Sequence, residues 1–260
     1  MSEGRLVCER DGPVARVLFA NPGAHNALTR RMWRDLRDQC LGMAHDPGIR
    51  VVVFRGVGGK AFVSGTDISG FAGSTTGADG LAYEREIDDC MAAVDSLPMA
   101  AIAVIDGWAV GGGLNIASAC DFRIATPAAR FGSPLGRTIG NCLSMSSYAR
   151  IVSAIGAGAA RRMLLLGEIL SAQELLAGGF LYRVAEPSHL EDELGALCER
   201  AAGNAPLTTR ATKAALCRWR NANLPDIDDL IALVYGSSDF KLGVEHFLSG
   251  ARKPPDWSGS

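Results

Sequence analysis

The chain has 260 residues, of which 48% are hydrophobic and 21% charged, and its formal net charge is −2. This length and composition predict one large domain, or one domain with an extension, with enough chain to bury a sizeable core. A nucleic-acid partner is not expected, because such a surface needs a basic patch or stripe and the densest basic group, within residues 30–37, is short.

The seven cysteines are scattered, without a Cys-x-x-Cys pair or a Cys/His spacing typical of metal sites. We therefore expect reduced thiols, several of them in the core, and no metal site. The N-terminal sequence MSEGRLVCERDG lacks the apolar segment of a signal peptide. No apolar run approaches the ~20 residues that a membrane span requires. The sequence thus favours a cytoplasmic protein with no membrane partner.

The first predicted elements are a hairpin, a helix and a buried strand. Residues 6–9 and 14–19 flank an Asp-Gly turn and are predicted to pair as short strands. Apolar residues at helical spacing predict a helix from Thr29 to His45. The run VVVFR at residues 51–55 is predicted to be a buried strand.

A long glycine-rich stretch, residues 56–80, is predicted to be a loop. Loops of this length without regular structure are unusual in compact domains and are often functional. A helix is predicted to follow over residues 81–97, and it carries several acidic residues.

The centre of the chain is predicted to be strand, turn, helix and strand. Residues 100–105 are an unbroken apolar run, three glycines occupy residues 111–113, and residues 114–120 and 122–125 form the next helix and strand. Two explanations remain open for the glycines. They permit either a ligand against the bare main chain of a helix N-terminus or close helix–strand packing. A dinucleotide site fits poorly, because the spacing is not G-x-G-x-x-G.

The later part of the chain is predicted to become helical, after a loop at residues 130–134 and a last strand at residues 181–185. Ser171 and Glu174 form a capping-box pattern for a short helix that ends at two glycines. The other helices are predicted at residues 144–152, 157–166, 190–202, 207–220 and 227–248.

Five separated stretches occur in a familiar order: PGAHNAL at residues 22–28, KAFVSGTDI at 60–68, DGWAVGGGLNIASACD at 106–121, ARFGSP at 129–134 and DFKLGVEHFLSGARK at 239–253. Together they resemble the crotonase superfamily, the enoyl-CoA hydratase/isomerase group. The resemblance covers nearly the whole chain and rests on several specific motifs at once.

The resemblance implies an α/β fold, a crotonase-like spiral of ββα turns with a helical C-terminal region that trimerises. Residues 1–200 would form the spiral core with the acyl-CoA site, and residues 201–260 the C-terminal helical region. The expected partners are an acyl-CoA thioester and further copies of the chain in a homotrimer or a hexamer of two trimers. Coenzyme A would enter as part of the substrate, and no cofactor is expected.

The resemblance also implies an oxyanion hole, in which the backbone N–H groups of Thr66 and Gly112 bind the thioester carbonyl. Two fixed donors there would stabilise the negative oxygen of a thioester enolate. His25 is expected either to face the CoA phosphates or to be an exposed turn residue, and Arg137 either to hold a carboxylate of the acyl group or to lie at a surface. The remaining residues expected to bind substrate are Ser64, Gly65, Ile68, Gly111 and Pro134.

The sequence departs from the family where hydratases carry two glutamates, because Asn115 and Leu135 occupy these positions. Neither side chain exchanges a proton near neutral pH. Glu84 and Glu86 on the preceding helix could replace them, although a solvated acidic helix face is the simpler interpretation of both. Ordinary hydration of a simple enoyl-CoA is therefore not expected.

The predicted function is that of an enoyl-CoA hydratase/isomerase-family enzyme acting on an acyl-CoA thioester through enolate stabilisation. One alternative is another reaction of the same fold, such as thioester hydrolysis, decarboxylation or aromatic acyl-CoA processing. A second alternative is a non-catalytic relative that binds CoA esters or RNA.

Overall fold

Two β-sheets and a series of helices make up the part of the chain that the computed structural model describes, residues 4–71, 76–251 and 253–259. The strands are β1 (Arg5–Asp11), β2 (Val14–Ala20), β3 (Val51–Gly56), β4 (Ala61–Val63), β5 (Ala100–Ile105), β6 (Trp108–Val110), β7 (Phe122–Ala125), β8 (Arg130–Gly132), β9 (Ile169–Ser171) and β10 (Arg183–Val184).

Short 3₁₀ turns span Pro22–Ala24 and Ile68–Phe71. The α-helices are α1 (Arg30–Ala44), α2 (Gly77–Asp95), α3 (Gly112–Ala119), α4 (Leu135–Thr138), α5 (Met145–Ile155), α6 (Ala157–Leu165), α7 (Ala172–Ala177), α8 (Leu190–Ala202), α9 (Pro206–Asn221), α10 (Asp228–Tyr235) and α11 (Ser238–Leu248).

The chain alternates between the two sheets. The larger sheet has the strand order β1-β2-β3-β5-β7-β10 and is parallel except for the β1–β2 hairpin. The smaller has the order β4-β6-β8-β9, with only β8 and β9 antiparallel. The units β3-β4-α2 and β5-β6-α3 each place one strand in each sheet before a helix. This repeated ββα order confirms the predicted α/β spiral.

The central strands of the larger sheet are covered on both faces, which explains their unbroken apolar sequences. On one face, Phe54 of β3 and Ile105 of β5 belong to the main core. On the other face, Val53 and Ile102 pack in a second cluster with residues of α8 such as Leu194. All six residues of β5 are buried.

Two of the predicted helix starts are observed with their side-chain caps. The Thr29 hydroxyl accepts a hydrogen bond from the backbone of Met32 at the start of α1. The Ser171–Glu174 pair forms both bonds of a capping box at the start of α7. In each case the side chain satisfies an N–H group that has no partner within the helix.

The prediction of a loop over residues 56–80 is wrong in part. Strand β4 lies within it, and α2 begins at Gly77, four residues earlier than predicted, because Thr76 and Asp79 form a capping box. Residues 72–75 of this stretch lie outside the described residues. Strands β6, β8 and β9 were not predicted. Each has three residues, which is too short for a periodic pattern.

The single helix predicted over residues 227–248 is two helices, α10 and α11. Gly236 ends the first, and the Ser237 hydroxyl caps the second by accepting from the backbone of Phe240. Helix α10 packs closely on α2, where a Cβ at Gly80 would collide with the ring of Tyr235. The contact brings the C-terminal region of the chain to the helix that carries Glu84.

Among the described residues, no helix combines the length and hydropathy that a membrane crossing demands.

Candidate active site

The glycine-rich start of α3, the 64–68 segment and α2 enclose a cavity of about 140 Å³, which we call the main cavity. Most of the predicted site residues line it together. They are Ser64, Gly65, Thr66, Ile68, Glu84, Gly111, Gly112, Asn115, Pro134 and Leu135. His25, Glu86 and Arg137 are not among its lining residues.

Gly112 is the first residue of α3, where N–H groups of a helix have no intrahelical partner. A Cβ at this position would lie 2.7 Å from Cζ2 of the Trp33 ring. Only glycine therefore allows the backbone to lie this close to the indole. Gly111 has a φ of 53°, which favours glycine, and a Cβ at Gly113 would collide with the Val63 carbonyl. Close packing therefore accounts for Gly112 and Gly113, and the positive φ accounts for Gly111, whatever else the three glycines serve.

Thr66 is held in an extended segment beside Leu28. The Leu28 N–H donates to the Gly65 carbonyl at 2.9 Å, and the Leu28 carbonyl accepts from the Asp67 N–H at 2.8 Å. Because peptide groups alternate along an extended segment, the N–H of Thr66 itself points away from Leu28.

The Thr66 side chain is fixed by two buried aromatic residues. Its hydroxyl oxygen accepts from Nε1 of Trp33 at 3.3 Å and lies 3.0 Å from the Tyr83 hydroxyl. This hydrogen bonding holds the segment that carries the Thr66 N–H. The sequence motif marks Thr66 but gives no indication of Trp33 or Tyr83 as its supports.

Glu84 is only 3% exposed, so the interpretation of Glu84 as part of a solvated helix face is wrong. Its carboxylate accepts a hydrogen bond from the Tyr235 hydroxyl at 2.6 Å and another from the Ser144 N–H at 2.8 Å. Burial raises the pKa of the Glu84 carboxyl to about 7, against the opposing effect of these two donors. The group can therefore exist in both protonation states near neutral pH.

Glu86, two residues further along α2, has a different environment. Its carboxylate forms an ion pair with Arg34 at 2.8 Å and remains partly exposed. The solvated-face interpretation fits this residue, and its place outside the main cavity gives it no contact with a ligand there.

Asn115 faces the main cavity but is engaged in a buried polar network. Its amide donates to the Ser147 hydroxyl at 2.9 Å and accepts from Arg150 at 3.1 Å. Arg150 is 1% exposed and pairs with Asp95 at 2.9 Å. Leu135, at the other position where hydratases carry a glutamate, supplies an apolar side chain at the start of α4.

His25 and Arg137 both lie at the surface. His25 is exposed in a left-handed turn, and its carbonyl accepts from the Ser64 N–H. Arg137 is exposed and lies against Gly167. No Lys, Arg or His is found among the described residues that line the main cavity.

Tyr235 and Ser144 are functional candidates that the sequence analysis missed. Both lie far from Glu84 in the chain, and neither belongs to a motif. Tyr235 also accepts a hydrogen bond from the Asn141 amide at 3.2 Å. The packing of α10 on α2 brings Tyr235 to Glu84, and the start of α5 brings Ser144 to the same carboxylate. In the part of the chain described, no cluster of three or more His, Cys, Asp or Glu residues could hold a metal ion.

Comparison with known proteins agrees with the geometry. The family model described as enoyl-CoA hydratase/isomerase matches residues 9–258. The (E)-benzylidenesuccinyl-CoA hydratase of Thauera aromatica is 34% identical, over 98% of this chain and 99% of that protein.

Solved structures show the same fold. An enoyl-CoA hydratase/carnithine racemase from Magnetospirillum magneticum has a TM-score of 0.78 at 31% identity, covering 98% of this chain and 96% of that one. A methylmalonyl-CoA decarboxylase in complex with 2-nitronate-propionyl-CoA superposes with a TM-score of 0.87 at 23% identity, covering 97% and 98% of the two chains. The chain therefore belongs to the enoyl-CoA hydratase/isomerase family of the crotonase superfamily.

Proposed function

We propose that this protein is an enoyl-CoA isomerase that moves a proton next to the thioester carbonyl, with Glu84 as the proton carrier. The observation that carries the proposal is the position of the buried Glu84 carboxyl in the wall of the same cavity as Thr66 and Gly112. The reaction needs coenzyme A only as part of the substrate, and no other cofactor.

The N–H groups of Thr66 and Gly112 form the oxyanion hole in this proposal. When a proton leaves the carbon beside the carbonyl, negative charge moves to the thioester oxygen. Fixed backbone donors stabilise this charge, and one such donor typically contributes about 3–4 kcal/mol in the transition state. The donors belong to the main chain, so neighbouring side chains are free to differ from those of other family members.

Glu84 supplies the acid–base chemistry. Burial raises its pKa to about 7, which suits a group that must both accept and return a proton near neutral pH. The ionised carboxylate removes a proton from C2 of a 3-enoyl-CoA, and the electron pair forms the enolate. The protonated carboxyl then delivers that proton to C4, and the double bond forms between C2 and C3. One carboxyl is sufficient for this shift.

Hydration is a second candidate, because the Thauera aromatica relative is named a hydratase. In hydratases of the family two glutamates share the proton transfers, whereas this chain has Asn115 and Leu135 at those positions. Hydration by this chain would require Glu84 to activate the water and to protonate the α-carbon in turn. The residues of the main cavity therefore favour isomerisation over hydration.

The acyl group in this proposal is apolar and uncharged. Phe71, Ile87, Ile139, Leu143 and Phe247 line the main cavity, together with the groups already described. Decarboxylation is less well supported, because no cation among the described lining residues would hold the carboxylate of such a substrate.

The test is incubation of the protein with 3-hexenoyl-CoA and, separately, crotonyl-CoA, followed by absorbance at the enoyl thioester band and by mass spectrometry. We expect 3-hexenoyl-CoA to gain conjugated-thioester absorbance without a change in mass. Faster gain of the mass of one water by crotonyl-CoA would favour hydration instead. Free CoA would indicate hydrolysis, and no conversion of either thioester would overturn the proposed function.

We also propose that the chain assembles as a homotrimer or as a pair of trimers. Helices α9 and α10 present large apolar side chains to solvent in the single chain, among them Leu216 (61% exposed), Trp219 (75%) and Leu233 (70%). Exposed apolar groups of this size are typical of an interface. Light scattering should report at least a trimer at micromolar concentration, and a stable monomer would overturn this assembly.

A further inference from the structure

A second cavity, of about 270 Å³, lies against α2 beside the main cavity. Its lining includes Leu81, Asp88 and Ser144, and residues of the segment that leads into α10, such as Asp226. Glu84 lines this second cavity as well as the main cavity. The buried carboxyl-bearing side chain is therefore part of the partition between the two.

A polar path connects the Glu84 carboxylate with the second cavity. The Ser144 N–H donates to Glu84 Oε2 at 2.8 Å, and the Ser144 hydroxyl donates to Asp88 Oδ1 at 2.7 Å. Asp88 follows Glu84 by one helical turn on the same face of α2. The partition is thus polar at this point, although much of the wall around it is apolar.

The second cavity matters for proton exchange when a substrate is bound. The main cavity is small, so an acyl group within it would cover Glu84 and exclude water from that side. A proton on Glu84 would then have no contact with solvent through the main cavity. The second cavity reaches the same residue from the other side of the partition and is not filled by the substrate.

We infer that the second cavity is a proton entrance, through which the Glu84 carboxyl exchanges its proton with solvent while an acyl-CoA occupies the main cavity. In this exchange, the carboxyl O–H bond breaks as a water molecule of the second cavity takes the proton, and that water returns a solvent proton to the carboxylate. Asp88 is a positioning residue that orients Ser144 and the water. The inference rests on the proposed role of Glu84.

The experiment is isomerisation of 3-hexenoyl-CoA in D₂O, with deuterium in the initial product counted by mass spectrometry. Product that carries the original proton shows direct transfer, whereas deuterium shows that Glu84 exchanged with solvent during the turnover. Leu81→Trp fills the second cavity from α2. Ala82→Trp adds the same side chain at the next residue, which is exposed and outside both cavities.

We expect the native product to contain deuterium and Leu81→Trp to lower its content per turnover by about threefold or more, because blocking the cavity prevents proton exchange. Ala82→Trp should match the native protein. Asp88→Asn provides a second variant that keeps the side-chain shape, with the exposed Asp89→Asn as its control. It too should lower the deuterium content.

Three outcomes would contradict the inference. Native product without deuterium would overturn it, as would unchanged deuterium content in both Leu81→Trp and Asp88→Asn while product still forms. If the native protein forms no product, the proposed function itself is overturned, and this inference with it. The deuterium content is measured per product molecule, so a variant that is merely less stable gives less product but the same ratio.

Discussion

On one wall of the main cavity the polar groups belong to the main chain, and on another they belong to side chains. The main-chain wall is formed by Thr66 and Gly112, whose N–H groups form the proposed oxyanion hole. The acidic wall is the Glu84 side chain, which receives hydrogen bonds from behind, from the Tyr235 hydroxyl and the Ser144 N–H. The residues of the main-chain wall belong to short motifs that can be recognised in the sequence. The acidic wall and its donors come from α2, α10 and the start of α5, and no short motif contains them.

The two glutamates of α2 show the same contrast on a smaller scale. Glu84 and Glu86 are two residues apart, which places them roughly 200° apart around a helix with 3.6 residues per turn. One points into the protein beneath α10, and the other reaches Arg34 at the surface. Their residue types are identical, so only the packing of neighbouring helices distinguishes a proton carrier from a surface charge.

The largest expected effect comes from breaking the main-chain wall. Gly112→Pro removes an N–H donor, and we expect turnover to fall by about 10²–10³-fold. Gly112→Ala is the control, because its Cβ meets Trp33 but its N–H remains. It should retain more activity than the proline variant. Thermal melts must show that both variants fold, and a folded proline variant with native turnover would remove this N–H group from the mechanism.

The acidic wall can be tested through stability alone. Burial raises the Glu84 pKa from 4.5 to about 7 in the fold. Between these values the unfolded chain releases the proton while the folded chain keeps it, so rising pH destabilises the fold. The full effect is about 3 kcal/mol. In Glu84→Gln this component of the pH dependence should vanish, as measured by urea unfolding at pH 5 and pH 8.

Glu86→Gln is the matched control for that measurement and should keep the native pH dependence. If Glu84→Gln and the native protein lose the same free energy of unfolding between pH 5 and pH 8, Glu84 is ionised in the fold at both values. The buried, protonated carboxyl would then be excluded.

A smaller effect is expected from the support of the acidic wall. Tyr235→Phe removes a hydrogen-bond donor that lowers the Glu84 pKa. A hydrogen bond to a charged group contributes about 1.5 kcal/mol, which corresponds to roughly one pH unit. The pH at which turnover is half-maximal should rise by that amount. Tyr182→Phe, a change at an exposed tyrosine, should leave the profile unchanged.

The smallest effect is expected from restoring the two missing glutamates. Asn115→Glu with Leu135→Glu should raise crotonyl-CoA hydration, but by less than the ~10²-fold at the lower end of what positioned acid–base groups supply. Arg150, which donates to Asn115, would pair with the new carboxylate and keep it ionised, so that it could act as a base but hardly as an acid. A decrease in hydration by a folded double variant would show that these positions do not limit the reaction.

Local patterns were sufficient for much of the fold and for the main-chain wall. The apolar periodicity before His45 predicted α1, and the Ser171–Glu174 pattern predicted the start of α7. The SGTD and GGG motifs marked the segments that meet at the main cavity. These features depend on residues close in sequence, whose backbone preferences are nearly independent of distant parts of the chain.

The acidic wall could not be predicted in this way. Glu84 was interpreted as a surface residue, since its burial depends on Tyr235, 151 residues later. Even the boundary between α10 and α11 was missed, because apolar spacing continues across Gly236. The closeness of α2 and α10 depends on Gly80, which a single sequence shows only as one glycine among 31.

The most direct test of the central claim compares Glu84→Gln with Glu86→Gln in the isomerisation of 3-hexenoyl-CoA at pH 8. Loss of the proton carrier should lower kcat by at least about 10²-fold in Glu84→Gln with little change in KM, whereas Glu86→Gln should keep native kinetics. Native kcat in a folded Glu84→Gln variant would contradict the assignment of Glu84 as the proton carrier.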